Sequence, residues 1–169
     1  MSATPGTVVT GLLTLKFDTA VPVNPAQASV VTGFRKASIL LSESEQAFQL
    51  VPGTTSYLTG GVLASLEYQL STEKQDGKVP AGELTYYLTR VTQAGDAIAT
   101  VTTCEDNSQY VEDYARDKAF ADGAGPATQL YPFVTITMTL LAGHWAVAGV
   151  QEANQPAAAE QPCLTNRPW

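Results

Sequence analysis

The hydrophobic period of this chain changes once, at Pro80, from about 3.6 residues to 2, and that change orders everything else. Upstream of it the residues read as helix. Asn24-Pro25-Ala26-Gln27 has the features of a helix start: Asn24 as N-cap, Pro25 at the first helical position where its missing N–H costs nothing, and Gln27 placed to reach back in a capping box. Val30, Val31, Phe34, Ala37, Ile39, Leu40, Leu41 and Phe48 follow at roughly helical spacing and predict a first helix over 25–47, although Gly33 and Ser42-Glu43-Ser44-Glu45 weaken it. Pro52-Gly53 and Gly60-Gly61 break the chain on either side of one helical turn at 54–58. Val62, Leu63, Leu66, Tyr68, Gln69 and Leu70 then repeat with helical spacing as far as Lys74, and 75–80 is a loop.

Downstream, Leu84, Tyr86 and Leu88 alternate with Thr85, Tyr87 and Thr89. Gln93-Ala94-Gly95-Asp96 turns the chain into Ala97–Cys104, so 83–104 reads as a β-hairpin. Residues 105–128 are polar and acidic and read as a long excursion. A second hairpin follows, with Val134, Ile136, Met138 and Leu140 on one face, a turn at Ala142-Gly143, and a return strand from Trp145 to Val150. Helices first and two antiparallel hairpins afterwards predict an α+β domain, a curved sheet packed by helices on one face. Residues 1–23 are read as an extended arm, linker or edge strand, 24–152 as the domain, and 153–169 as a tail.

A chain of 169 residues is the size of one domain, and with 44% hydrophobic and 15% charged residues it can bury a core. Nine Lys and Arg against sixteen Asp and Glu, with no basic run longer than Arg35-Lys36, argue against nucleic acid or an anionic membrane surface as a partner. No apolar stretch reaches the eighteen or so residues a membrane-spanning helix needs. Residues 7–15 are apolar but have neither a preceding positive segment nor a cleavage site, so they make a poor signal peptide. Two cysteines without a Cys-x-x-Cys spacing make no metal site. They are read either as buried thiols or as one disulfide tying the tail to a strand.

The segments Tyr57-Leu58-Thr59-Gly60-Gly61-Val62-Leu63 and Gly95-Asp96-Ala97 through Cys104-Glu105-Asp106-Asn107-Ser108, followed by a hairpin bearing Trp145 and then by Cys163, resemble small secreted or lipid-anchored actinobacterial proteins of the nuclear transport factor 2-like fold. That fold, a cone shared by ketosteroid isomerases and SnoaL-type cyclases, closes one side of a bent sheet with helices. The resemblance covers about 25–163. It implies that Cys104 pairs with Cys163, which would close a loop of about sixty residues, restrict the unfolded chain by roughly 4 kcal/mol and require an oxidising compartment.

Few residues suggest chemistry. An isomerase of this fold needs a carboxylate in an apolar pocket facing a hydroxyl or a protonated acid; ketosteroid isomerase is the reference case. The acids on or beside the sheet are Glu83, Glu105 and Asp106. Glu83 reads as solvated at a strand start. Asp106, the better placed, reads first as a residue whose side chain bonds nearby backbone amides, and His144 as an exposed hairpin residue; both remain weak catalytic candidates. Phosphate-loop, dinucleotide, zinc-helix and nucleophile-elbow motifs do not occur, so no metal or cofactor is expected. The aromatic residues read mainly as core, with Tyr57, Tyr68, Tyr86 and Trp145 as candidates to wall a ligand pocket.

These observations lead to an expectation of a non-catalytic extracytoplasmic domain, secreted or anchored to the envelope, that binds a protein partner or a small apolar ligand. A homodimer through the sheet is a further expected association. Two alternatives stand beside it: an isomerase, cyclase or dehydratase working on a small apolar substrate in the cone, and a scaffold subunit of an envelope or conjugation assembly, with a cytoplasmic location as the alternative compartment.

Overall fold

The capping box sets the first boundary. In the computed structural model, which describes residues 6–18, 24–115, 130–152 and 161–166, Gln27 N–H donates to Asn24 Oδ1 at 2.9 Å and Asn24 N–H to Gln27 Oε1 at 3.2 Å. Helix α1 therefore runs Pro25–Ala47, as the sequence predicts, and stops at Phe48 in the left-handed region (φ 54°). The single turn is α2 (Thr54–Tyr57), and α3 (Gly60–Asp76) ends on Gly77 at φ 66°.

Six strands form one mixed sheet: β1 (Gly6–Thr10), β2 (Leu13–Phe17), β3 (Lys78–Ala94), β4 (Ile98–Ala115), β5 (Phe133–Leu141) and β6 (His144–Glu152), in the order β1-β2-β3-β4-β5-β6. Every pairing is antiparallel except β2 with β3. Parallel neighbours need a crossover, and α1, α2 and α3 supply it. The domain is α+β, and the sheet has two more strands than the two expected hairpins.

Those two strands come from the N-terminal segment: of the arm, linker and edge-strand readings, its described part takes the last, with β1 at the sheet edge and β2 inside it. Leu13, Leu15 and Phe17 alternate with Thr14 and Lys16 and are almost fully buried. The hairpin is also fastened to α1, through Thr10 Oγ1 against Ser42 Oγ and Leu12 N–H donating to Gln46 Oε1 at 3.0 Å. Period-2 alternation over only five residues was too short to separate a strand from an extended arm.

The acidic stretch after Cys104 is the second correction. Glu105 to Ala115 continue β4, because β3 extends opposite them from Lys78 and pairs with them across two register shifts. Four register shifts along β3 and β4 allow a strand pair this long to coil, one of them beside Leu88 at φ 52°. The rest of the expected excursion, 116–128, lies outside the described residues. So do tail residues 153–160 and arm residues 1–5 and 19–23. The second hairpin turns through Ala142 (φ 49°) and Gly143 (φ 84°), the paired positive φ values of a tight two-residue loop.

The sheet has two different faces. On one, α1 and α3 cover a core of Leu15, Phe17, Phe34, Leu66, Leu84, Val101, Ile136 and Met138. Gly33 allows this approach, since a Cβ there would lie 2.4 Å from the carbonyl oxygen of Trp145. On the other face Tyr87, Cys104 and Cys163 form a small separate cluster with Leu88, Tyr131 and Phe133 around them. Cys104 and Cys163 form a disulfide with a Cα–Cα distance of 5.5 Å, and Tyr87 Oη donates to Cys163 O at 2.7 Å. The short helix α4 (Gln161–Thr165) is thereby held against the sheet.

Candidate functional site

The helix-covered face is not completely filled. Between α1, the start of α3 and strands β3 to β6 lies a cavity of about 170 Å³. Its walls are almost wholly apolar: Phe34, Ala37 and Leu41 from α1, Val62 from α3, Ile136 from β5 and Val147 from β6 are among them. A shallower groove of about 410 Å³ shares Leu41, Val62 and Val150 with it and continues between α3 and β6 past Gly61, Ala148 and Gly149.

Three polar side chains interrupt the apolar lining: Ser38, Tyr86 and Glu105. Their arrangement follows from the register. Tyr86 on β3 pairs directly with Glu105 on β4, so both side chains leave the sheet on the same face. The Tyr86 ring is fixed by stacking on Phe17 (centroids 5.3 Å, planes 13° apart) and by an edge contact with Phe34 at 5.3 Å. Its hydroxyl hydrogen-bonds Ser38. Ser38 Oγ also donates to Phe34 O at 3.1 Å, so Tyr86, Ser38 and the α1 backbone form one hydrogen-bonded chain at the cavity wall.

Glu105 keeps a little accessible surface, yet it is packed round by protein. That depth governs its ionisation more than the residual area does. Burial is the main reason its carboxyl is pushed up to about 8; Glu152 adds to the rise, while a hydrogen bond from Asn107 opposes it. The same burial, with the negative charge of Glu105 beside it, pushes the Tyr86 hydroxyl well above its ordinary range. At neutral pH Glu105 is thus mostly the protonated acid, able to donate one hydrogen bond into an apolar space.

The residues singled out in the sequence are placed apart. Tyr86 is in the cavity wall. Trp145 packs against Gly33, and its Nε1 donates to Ser29 Oγ at 3.1 Å. Tyr57 meets His144 at the hairpin tip, with Oη 3.4 Å from Nδ1 and the rings 5.3 Å apart. Tyr68 is 77% exposed on α3 and walls no described cavity. Two residues along a helix is about 200°, so Tyr68 faces away from the buried Leu66 and Leu70 on either side of it. Asp106 accepts from Ser108 N–H at 2.9 Å, the local backbone bond expected of it, although it does so inside a strand. Glu83 is paired with Lys16 at 2.6 Å at the surface.

Glu105, one of the three acids placed on or beside the sheet from the sequence, is given no role there. The signal was its position opposite Tyr86, which depends on a register that alternation alone does not fix. Among the described residues, no three His, Cys, Asp or Glu side chains cluster to suit a metal ion, and no helix is long and apolar enough to cross a membrane.

No family model and no curated protein matches the chain. Among solved structures it is similar to the intermembrane space region of the chloroplast protein ARC6, with 14% sequence identity and a TM-score of 0.47 over 78% of this chain and 98% of that one.

Proposed function

We propose that this chain is an extracytoplasmic binding domain, a cone of the nuclear transport factor 2-like kind, whose ligand is a small apolar molecule held between the helices and the sheet. The observation that carries this reading is the apolar cavity with one protonated carboxyl in its wall, the composition of a small-molecule site. The disulfide supports the compartment, since such bonds persist where the surroundings are oxidising.

Glu105 opposite Tyr86 also gives the isomerase reading its one favourable observation. That chemistry needs two groups: a donor for the developing oxyanion and an ionised base to move the proton. Glu105 has the character of the donor. Among the described residues no second carboxylate or histidine lines the cavity: Asp106 is bound to its own backbone, His144 is at the exposed hairpin tip, Glu45 accepts from Gln69 and Glu152 is exposed at the end of β6. Binding without turnover is the better fit.

The test is a titration of the full, disulfide-intact chain with toluene, followed through backbone amide resonances. Saturable shifts at Val62, Val147 and Val150 are expected. Toluene that leaves those amides unmoved overturns the binding reading. Conversion of a β,γ-unsaturated cyclic ketone at a rate abolished by Glu105→Gln would replace it with the isomerase.

A further inference from the structure

The N-terminal hairpin leaves one backbone edge of the sheet open, and the direction of each hydrogen-bonding group along that edge follows from its neighbours. Leu12 O accepts from Gly82 N–H at 3.0 Å and Asp18 N–H donates to Tyr86 O at 2.9 Å, so the even-numbered residues of β2 bond to β3, and Leu13, Leu15 and Phe17 bond to β1. Their partners Thr10, Val8 and Gly6 are thereby satisfied. Thr7 and Val9 direct their N–H and C=O groups the other way, where no described strand pairs with them. Natural sheet edges are blunted by charge, proline or a bulge. β1, Gly-Thr-Val-Val-Thr, has none of these: its register with β2 is unbroken, Thr7 is exposed and Val9 is 69% exposed. The edge is also held in place, by Thr10 Oγ1 against Ser42 Oγ and by Leu12 N–H on Gln46 Oε1.

We propose that this edge is a dimer interface, on which a second copy of the chain adds its own β1 antiparallel and joins two sheets into one. The strand is self-complementary in the register centred on Val8. There Thr7 of each copy lies opposite Val9 of the other, and every N–H and C=O that these residues direct outward finds a partner. Centring on Thr7 would call for an N–H from position 5, which is proline, and centring on Val9 would set Thr7 against Gly11 in the turn (φ 60°). The side chains agree with the backbone. Val8 shares a face with Leu15, its β2 partner, so the two Val8 side chains meet between the two Leu15 side chains and carry the apolar row across the axis. Charge favours a second copy as the occupant. The chain carries sixteen acids against nine Lys and Arg, which opposes self-association elsewhere, but β1 is uncharged and Lys16, opposite Thr7, is paired with Glu83 at 2.6 Å. The register also brings Gly6, with the Arg35 guanidinium beside it, opposite Thr10 of the other copy, where the α1 turn that holds Ser42 and Gln46 carries the exposed Glu43. Two five-residue edges bury less than the roughly 1,200 Å² of a stable interface, so the dimer is a weak one that forms at high concentration.

Sedimentation equilibrium of the full, disulfide-intact chain from about 10 μM to about 1 mM reads the association. The wild-type average mass is expected to climb from one chain toward two, and a filtered nuclear Overhauser contact between the Val8 α-protons of labelled and unlabelled copies marks the register. Thr7→Pro removes an outward N–H and no hydrogen bond inside the chain. It is expected to raise the dissociation constant at least about ten-fold and to leave the urea midpoint of the monomer unchanged. Val9→Lys sets like charges on the two edges at an already exposed position, has the same expected effect, and decides the matter should Thr7→Pro not fold. A wild type that remains one chain at about 1 mM overturns the proposal. So does a dimer that survives both substitutions; if that dimer is undone by Thr137→Lys, on the outer face of β5, the copies meet face to face and the edge is not their interface.

Discussion

Replacing Glu105 by glutamine removes an ionisation that the native fold resists, and the pH dependence of stability reads that resistance directly. In the unfolded chain the carboxyl titrates near 4.5; in the folded protein burial, chiefly, moves it to about 8. Below pH 4.5 both states carry the proton and Glu105 contributes no slope. Between these values the unfolded chain releases the proton while the native state holds it, so stability falls as pH rises, and above about 8 the loss is complete. The ceiling on that loss is about 5 kcal/mol at 1.36 kcal/mol per pH unit, and the access to solvent left through the cavity reduces it to about 2–3 kcal/mol. Glutamine has the same shape and no proton to lose. Urea unfolding of the disulfide-intact proteins from pH 4 to pH 9 should therefore show two curves that nearly meet at the acid end, with Glu105→Gln more stable by about 2–3 kcal/mol at the alkaline end. Acids that do not interact with Glu105 contribute equally to both proteins and cancel in the difference, and Glu152, exposed at the end of β6, is the one neighbour coupled to it. Parallel curves, with the gap the same at every pH, would refute a buried protonated Glu105.

Gly33→Ala tests the helix–sheet contact by its sign: in an exposed helix the change would stabilise by up to about 1 kcal/mol, but here the new Cβ meets the backbone of Trp145, and a loss of about 1–3 kcal/mol in urea unfolding is expected. The double variant Cys104→Ser, Cys163→Ser opens a bond between residues 59 apart in sequence. It should lose about 4 kcal/mol, with the unreduced wild type two hydrogens lighter than its reduced form by mass spectrometry. Phe17→Ala removes a ring stacked on Tyr86 and under the Arg35 guanidinium, and should cost about 3–5 kcal/mol if the N-terminal hairpin belongs to the core; a cost below about 1 kcal/mol would return that hairpin to the status of an arm.

The helices were legible because their signals are local. Asn24, Pro25 and Gln27 specify a start within four residues, and the 25–47 boundaries follow. The hairpin at Ala142-Gly143 was legible for the same reason. The N-terminal hairpin was not, since what makes β2 a strand is its pairing with β3, about seventy residues away, across a crossover of three helices. Glu105 to Ala115 misled in the opposite direction: acidic composition reads as loop, but β3 extends far enough to pair with it, and partner availability prevailed over composition. The disulfide was implied by family resemblance more than by residue chemistry, because two cysteines alone fit buried thiols equally well.

The site was the least legible part, and the reason is specific. A glutamate in an acidic run carries the same symbol whether it is solvated or buried, and only the depth of its neighbours separates the two. Asp106 attracted attention because it is flanked by turn-forming residues, yet its side chain is occupied by Ser108 N–H. Glu105, one position earlier, emerges on the opposite face of β4, where Phe34, Tyr86 and Ile136 surround it. A one-residue slip of β4 would exchange the two, turning Asp106 into the cavity and Glu105 out, and would turn Cys104 inward with Asp106. Cys104 holds the strand against that slip: its bond to Cys163 requires it to face outward, and Glu105, its neighbour, must then face in. The disulfide thus does more than tie down a tail. It opposes the one-residue slip that would turn a protonatable carboxyl out of an apolar cavity.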